Sequence, residues 1–138
     1  MPRRKDAKVE SLKNVPLFSR CNKKQLTAIA NVADLIDLPA GKELIREGAL
    51  GREFMVIVEG AGEVRRKGRK IATIGPGDFI GEMALISGGP RNATVRTTLD
   101  TSLLVLTTQQ FWALLEQVPE IQTSVLRALG DRLQPLAV

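Results

Sequence analysis

Short apolar runs cut by glycine about every ten residues dominate the middle of this 138-residue chain, and that rhythm admits little besides an all-β body. Gly41, Gly48, Gly51, Gly60, Gly62, Gly68, Gly75 and Gly77 supply the punctuation. The short apolar runs predict strands at Leu35–Leu38, Glu43–Arg46, Glu53–Val58, Glu63–Arg66, Lys70–Ile74, Ala93–Thr98 and Thr101–Leu106. Phe54, Val56 and Val58 alternate with Met55, Ile57 and Glu59, the pattern of a strand buried on both faces for most of its length.

On either side the hydrophobic period becomes helical. Residues from about Asp6 to Lys13 and from Asn22 to about Val32 predict two short helices, with Asn22 as N-cap and Leu26, Ile29, Ala30 and Ala33 on one stripe. The apolar turn Val15-Pro16-Leu17-Phe18 between them reads as a clasp onto the core. Beyond Thr107, Phe111, Leu114, Leu115 and Val118 share a face, with Phe111 and Trp112 expected as core anchors. Pro119 then opens a last helix carrying Ile121, Val125, Leu126, Leu129 and Leu133, which Gly130 interrupts and Pro135 ends. The expected architecture is mainly β: an antiparallel β-roll of jelly-roll type over about 34–107, flanked by N-terminal helices (about 6–33) and C-terminal helices (about 108–134), in one domain spanning 1–138.

What the chain lacks narrows its chemistry. It has no His, no Tyr and one Cys. A Ser-His-Asp or Cys-His nucleophile, a His general base and most catalytic zinc sites are thereby excluded, so neither an enzyme nor a metal or cofactor site is expected. Cys21 alone forms no internal disulfide and reads as a reduced thiol. With no apolar run of membrane-spanning length and no signal core after the basic start, a cytoplasmic location is expected. Lys and Arg total 20 against 15 Asp and Glu, a net charge of +5. The excess gathers in Pro2–Lys8 and in Arg65-Arg66-Lys67-Gly68-Arg69-Lys70. These predict a solvated tail and a turn between strands, or else an electrostatic footprint for nucleic acid or acidic lipid. No aromatic residues interleave with them, which weakens a single-strand-binding reading.

One segment breaks the β rhythm, Gly75-Pro-Gly-Asp-Phe-Ile-Gly-Glu-Met-Ala-Leu-Ile-Ser-Gly-Gly-Pro-Arg-Asn-Ala-Thr-Val95. A glycine turn feeds a short helical piece, Glu82–Ile86, and a second glycine turn leads to Arg91 at the mouth of a strand. A helix N-terminus offers unpaired N–H groups and partial positive charge, glycine permits close approach of a phosphate, and Arg91 adds a planar charged fork. Glu82 would repel a phosphate and suits a hydroxyl such as that of ribose. On these residues alone a loop-closing Glu82–Arg91 ion pair explains the pattern equally well.

Gly81-Glu82-Met83-Ala84-Leu85-Ile86 with Pro90-Arg91-Asn92-Ala93-Thr94-Val95 resembles the phosphate-binding cassette (about 81–94) of the cyclic nucleotide-binding domain family, which includes the bacterial catabolite activator protein, the regulatory subunits of cAMP-dependent protein kinase and the cyclic-nucleotide-gated channels. The likeness extends from Leu17-Phe18 through Leu44-Ile45-Arg46-Glu47-Gly48 and Phe54–Gly60 to the closing helices. The resemblance implies that Arg91 pairs with the cyclic phosphate and that Glu82 accepts from the ribose 2′-hydroxyl. It implies a cradle of backbone N–H groups around Ala84 and Ala93, with Gly81 allowing the close approach and Met83 among the ligand-binding residues, and base contacts from Val64 and Ile71.

Asn92 departs from the small or hydroxylated residue usual there. A Thr at that position favours cGMP in the family, so cAMP is the expected ligand with cGMP as the alternative. The last helix offers Leu126, Leu129 and Arg132 or Leu133 as a lid over the base, but no aromatic residue. Few residues follow Leu133, so a DNA-reading module and direct DNA contact are not expected. The implied function is a cAMP sensor whose binding shifts the C-terminal helices, acting through a protein partner or effector domain, with a homodimer as one arrangement. A nucleotide-free interaction or dimerisation unit of the same fold is the rival reading.

Overall fold

The computed structural model describes residues 4–133, with side chains over 7–131. The glycine-punctuated middle folds into eight strands, β1 (Asp34–Leu38), β2 (Glu43–Ile45), β3 (Glu53–Glu59), β4 (Gly62–Arg66), β5 (Arg69–Ile74), β6 (Phe79–Ile80), β7 (Thr94–Thr97) and β8 (Thr101–Thr107). They form two four-stranded antiparallel sheets, ordered β1-β8-β3-β6 and β2-β7-β4-β5. Helices α1 (Arg4–Lys13), α2 (Lys23–Val32), α3 (Thr108–Gln117) and α4 (Pro119–Leu133) flank them, with a 3-10 turn at Pro16–Phe18. This is the β-roll with flanking helices that the pattern predicts. The pattern misses β6, because two residues between Gly77 and Gly81 are too few to show alternation.

Strand β3 is buried on both faces, and each face serves a different core. Phe54 and Val56 join Leu12, Leu17, Phe18, Ile29, Phe111 and Ile121 beneath the helices. There Phe18 stands edge-on to Phe54, ring centres 5.9 Å apart, and tilts against Phe111 at 6.1 Å. Met55 and Ile57 face the other way and meet Leu103 inside the roll, ringed by Leu38, Leu44, Ile45, Ile74 and Val105. Each fully buried side chain of this size contributes roughly 1.5–3 kcal/mol, so the helical layer is integral to the fold.

Local signals place the helices. Asn22 and Gln25 exchange side-chain and backbone hydrogen bonds in a capping box at α2, and Thr107 and Gln110 do the same at α3. Lys8, expected in a solvated tail, instead donates from Nζ to the carbonyls of Ala30 and Ala33 at the end of α2, at 3.1 and 2.8 Å. The basic stretch at 65–70 is the expected turn, a two-residue hairpin in which Lys67 and Gly68 both take positive φ (51° and 77°).

One expected core residue, Trp112, lies outside. Trp112 is 48% exposed, because it sits one position round the helix from Phe111 and only its edge reaches that ring. Leu126 is 67% exposed, since the buried stripe of α4 runs through Ile121, Ser124, Val125 and Ala128. The side chains of Arg132 and Leu133, and Pro135, fall outside the described residues. No helix among the described residues is long and apolar enough to cross a membrane.

Candidate functional site

The segment after β6 turns at Gly81, whose φ of 74° is left-handed and favours glycine. A 3-10 turn follows over Glu82–Leu85, shorter than the predicted Glu82–Ile86, with Ala84 and Leu85 buried. The return stretch 89–91 is laced to loop 48–51. Gly51 N–H donates to Gly89 at 3.0 Å, Arg91 N–H to Ala49 at 2.7 Å, and Gly48 N–H to Arg91 at 2.8 Å. The return end of the cassette is thereby held against the loop before β3.

Arg91 is the buried charge of this region, 9% exposed. Its Nη2 donates to the Glu53 backbone carbonyl at 2.6 Å and lies 3.6 Å from the Glu53 carboxylate, a side chain that is 45% exposed. Burial lowers the guanidinium's basicity and the Glu53 charge opposes that shift. Arginine stays protonated regardless. A Cβ at Gly51 would stand 2.7 Å from Arg91 Cζ and Nε, and one at Gly81 would collide with Nη1. The guanidinium occupies space that two glycines leave open.

A cavity of about 300 Å³ is lined in part by Gly81, Glu82, Met83, Ala84, Arg91 and Asn92. Six of the nine residues singled out from the sequence thus share one wall, and Ala93 is buried beside them. A more open cleft of about 610 Å³ lies across Ala84, between loop 50–53 and the start of α3, but Arg91 does not line it. Val64 and Ile71 line neither space. Val64 is half-buried and pairs across the strands with Val95 and Ala72, whereas Ile71 sits at a bulge and is 48% exposed.

Further contacts hold the segment in place. The Glu82 carboxylate accepts from Leu17 N–H at 3.2 Å, tying the cassette to the 3-10 turn 65 positions earlier. Ala84 N–H donates to the Gly81 carbonyl at 2.9 Å. Thr108 N–H and hydroxyl reach Arg52 and Ala84 carbonyls; a hydroxyl has one proton, and the shorter contact, 2.9 Å, is to Ala84. Arg66, in the basic hairpin, donates from Nε to the Asn92 carbonyl at 2.9 Å. The clustering of arginines at 65–69 was a signal, but not for this target. Among the described residues, no group of three or more His, Cys, Asp or Glu side chains could hold a metal ion.

Residues 35–118 match the model of the cyclic nucleotide-binding domain. A cyclic nucleotide-gated potassium channel of Rhizobium etli is 36% identical over 118 residues, 86% of this chain and 33% of the channel. The cAMP-dependent protein kinase regulatory subunit of Schizosaccharomyces pombe is 33% identical over 85% of this chain and 29% of its own length. This chain therefore spans about a third of the curated relatives it matches. The N-terminal domain of a transcriptional regulator from Streptomyces coelicolor A3(2) superposes with a TM-score of 0.84 at 31% identity, covering 91% of this chain and 94% of that one. Two antiparallel sheets, flanking helices and a glycine-framed buried arginine thus accompany a match over most of the roll, and the chain belongs to the cyclic nucleotide-binding domain family.

Proposed function

We propose that the chain binds a cyclic nucleotide, cAMP in preference to cGMP, against the Gly81–Asn92 wall and relays binding as movement of the C-terminal helices. The observation that carries the reading is Arg91: a buried guanidinium whose close partner is a neutral carbonyl and whose carboxylate neighbour stands off at 3.6 Å. With Nη2 held by Glu53, Nε and Nη1 are the donors left for phosphate oxygens. A carboxylate accepts several hydrogen bonds, so Glu82 can serve Leu17 and a ribose hydroxyl together. The cavity volume of about 300 Å³ suits one small ligand. Thr108, bonded to Ala84 and opening α3, supports a mechanical link from cassette to helices. A protein partner or effector segment would receive the movement, and a homodimer is one such arrangement.

Isothermal titration calorimetry with cAMP and cGMP, on the wild type and Arg91→Ala, tests this. Micromolar binding of cAMP, weaker binding of cGMP and loss of both in the variant are expected; no binding of either below millimolar concentration overturns it. Amide exchange in α4 that does not change at saturating cAMP would overturn the relay alone. The nucleotide-free interaction unit is favoured by one observation: Glu82 and Ala84 N–H already have partners within the chain.

A further inference from the structure

We infer that Gly51, outside the cassette in the loop before β3, is a positioning residue for the Arg91 guanidinium, because the space of its missing side chain is where the guanidinium sits. The inference deepens the cyclic-nucleotide reading and rests on it. A Cβ at Gly51 would stand 2.7 Å from Cζ and Nε of Arg91 and 2.9 Å from Nη1, well inside the roughly 3.5 Å of optimal carbon contact. Its backbone does not itself require glycine, since Gly51 is absent from the positive-φ residues. The guanidinium has no way to yield in place. Gly81 closes its other side, and the Glu53 carbonyl holds Nη2 at 2.6 Å. The loop cannot retreat either, because three backbone hydrogen bonds fasten 48–51 to 89–91.

An alanine at 51 must therefore push the guanidinium out of its slot. The moved atoms end a flexible side chain, so folding should lose little, while an anion site suffers from displacement on the order of 1 Å. Gly51→Ala is expected to bind cAMP at least about tenfold more weakly than wild type, with a nearly unchanged Tm. In an Arg91→Ala background the same substitution should weaken binding no further, the signature of two residues acting through one group. The Arg91 Nε–H resonance should move in Gly51→Ala while that of Arg20 stays.

Binding within about twofold of wild type, losses that multiply in the double variant, or an unmoved Arg91 resonance would each overturn the inference. A stability loss that persists in the Arg91→Ala background would make the position structural and also overturn it; one relieved there supports it. If the wild type binds neither nucleotide, the parent reading fails, and the resonance and stability measurements still decide this one.

Discussion

Two arginines divide the molecule into a region with charge to offer and a region without. Arg20, in the turn before α2, reaches across to Asp131 of α4 with two hydrogen bonds of 2.7 and 2.9 Å, both groups exposed. Each raises the charged form of the other, the carboxylate falling below its usual range. Such a fork is internally satisfied, and water screens what remains. Arg91 is the reverse case, buried, bonded to a carbonyl and only loosely faced by Glu53. A guanidinium becomes a receptor for an anion when its geometry is held by neutral groups, so that fixing its position does not neutralise its charge.

Arg91→Ala is the strongest test of that contrast. Losing two charge-assisted hydrogen bonds at roughly 1.5–3 kcal/mol each predicts about a hundredfold or greater loss of cAMP affinity by calorimetry. Thermal stability should hardly fall, since relief of a buried charge offsets the orphaned Glu53 carbonyl; a collapse in Tm would make Arg91 a structural residue. Glu82→Ala should lose roughly tenfold and, more tellingly, should no longer distinguish cAMP from its 2′-deoxy analogue, which the wild type should bind less tightly. Equal discrimination in both proteins would remove the ribose contact from the roles of Glu82.

The helical clasp predicts smaller effects. Burial pushes the Cys21 thiol up to about 11, with a hydrogen bond to Ser124 opposing. Because the folded value exceeds the ordinary 9.0, folding stability should be intact below pH 9 and decline as pH rises through about 11. Urea titrations across that range, with and without Cys21→Ala, check the sign, and the decline should vanish in the variant. Arg20→Ala should cost no more than about 1 kcal/mol in the same titrations and leave nucleotide affinity unchanged. Altered affinity would show the clasp coupled to the cassette.

Much of this was legible along the chain. Seven of the eight strands follow from short apolar runs, four of them bounded by glycines on both sides, and the double burial of β3 follows from apolar residues at both alternating positions. Asn22 announces a helix start because a cap acts within three residues. Six of the candidate residues line one cavity because they lie within one short segment, 81–92. Val64 and Ile71 were harder, since a bulge in β4–β5 pairs Val64 with Ala72 and leaves Ile71 exposed, and one residue of register decides which face a side chain takes. Trp112 was misplaced for the analogous reason on a helix, where an apolar residue beside the stripe looks like one within it.

The sequence by itself determined the order of elements, the helical and strand periods and the residues of the cassette, because each is a local property of a few neighbouring positions. Tertiary structure alone decided that Glu82 meets Leu17, that Thr108 holds Ala84, that Arg20 pairs with Asp131 and that Gly51 makes room for Arg91. Those contacts join positions 24 to 111 residues apart. They depend on how the two sheets and the helical layer close on one another, which no local pattern encodes.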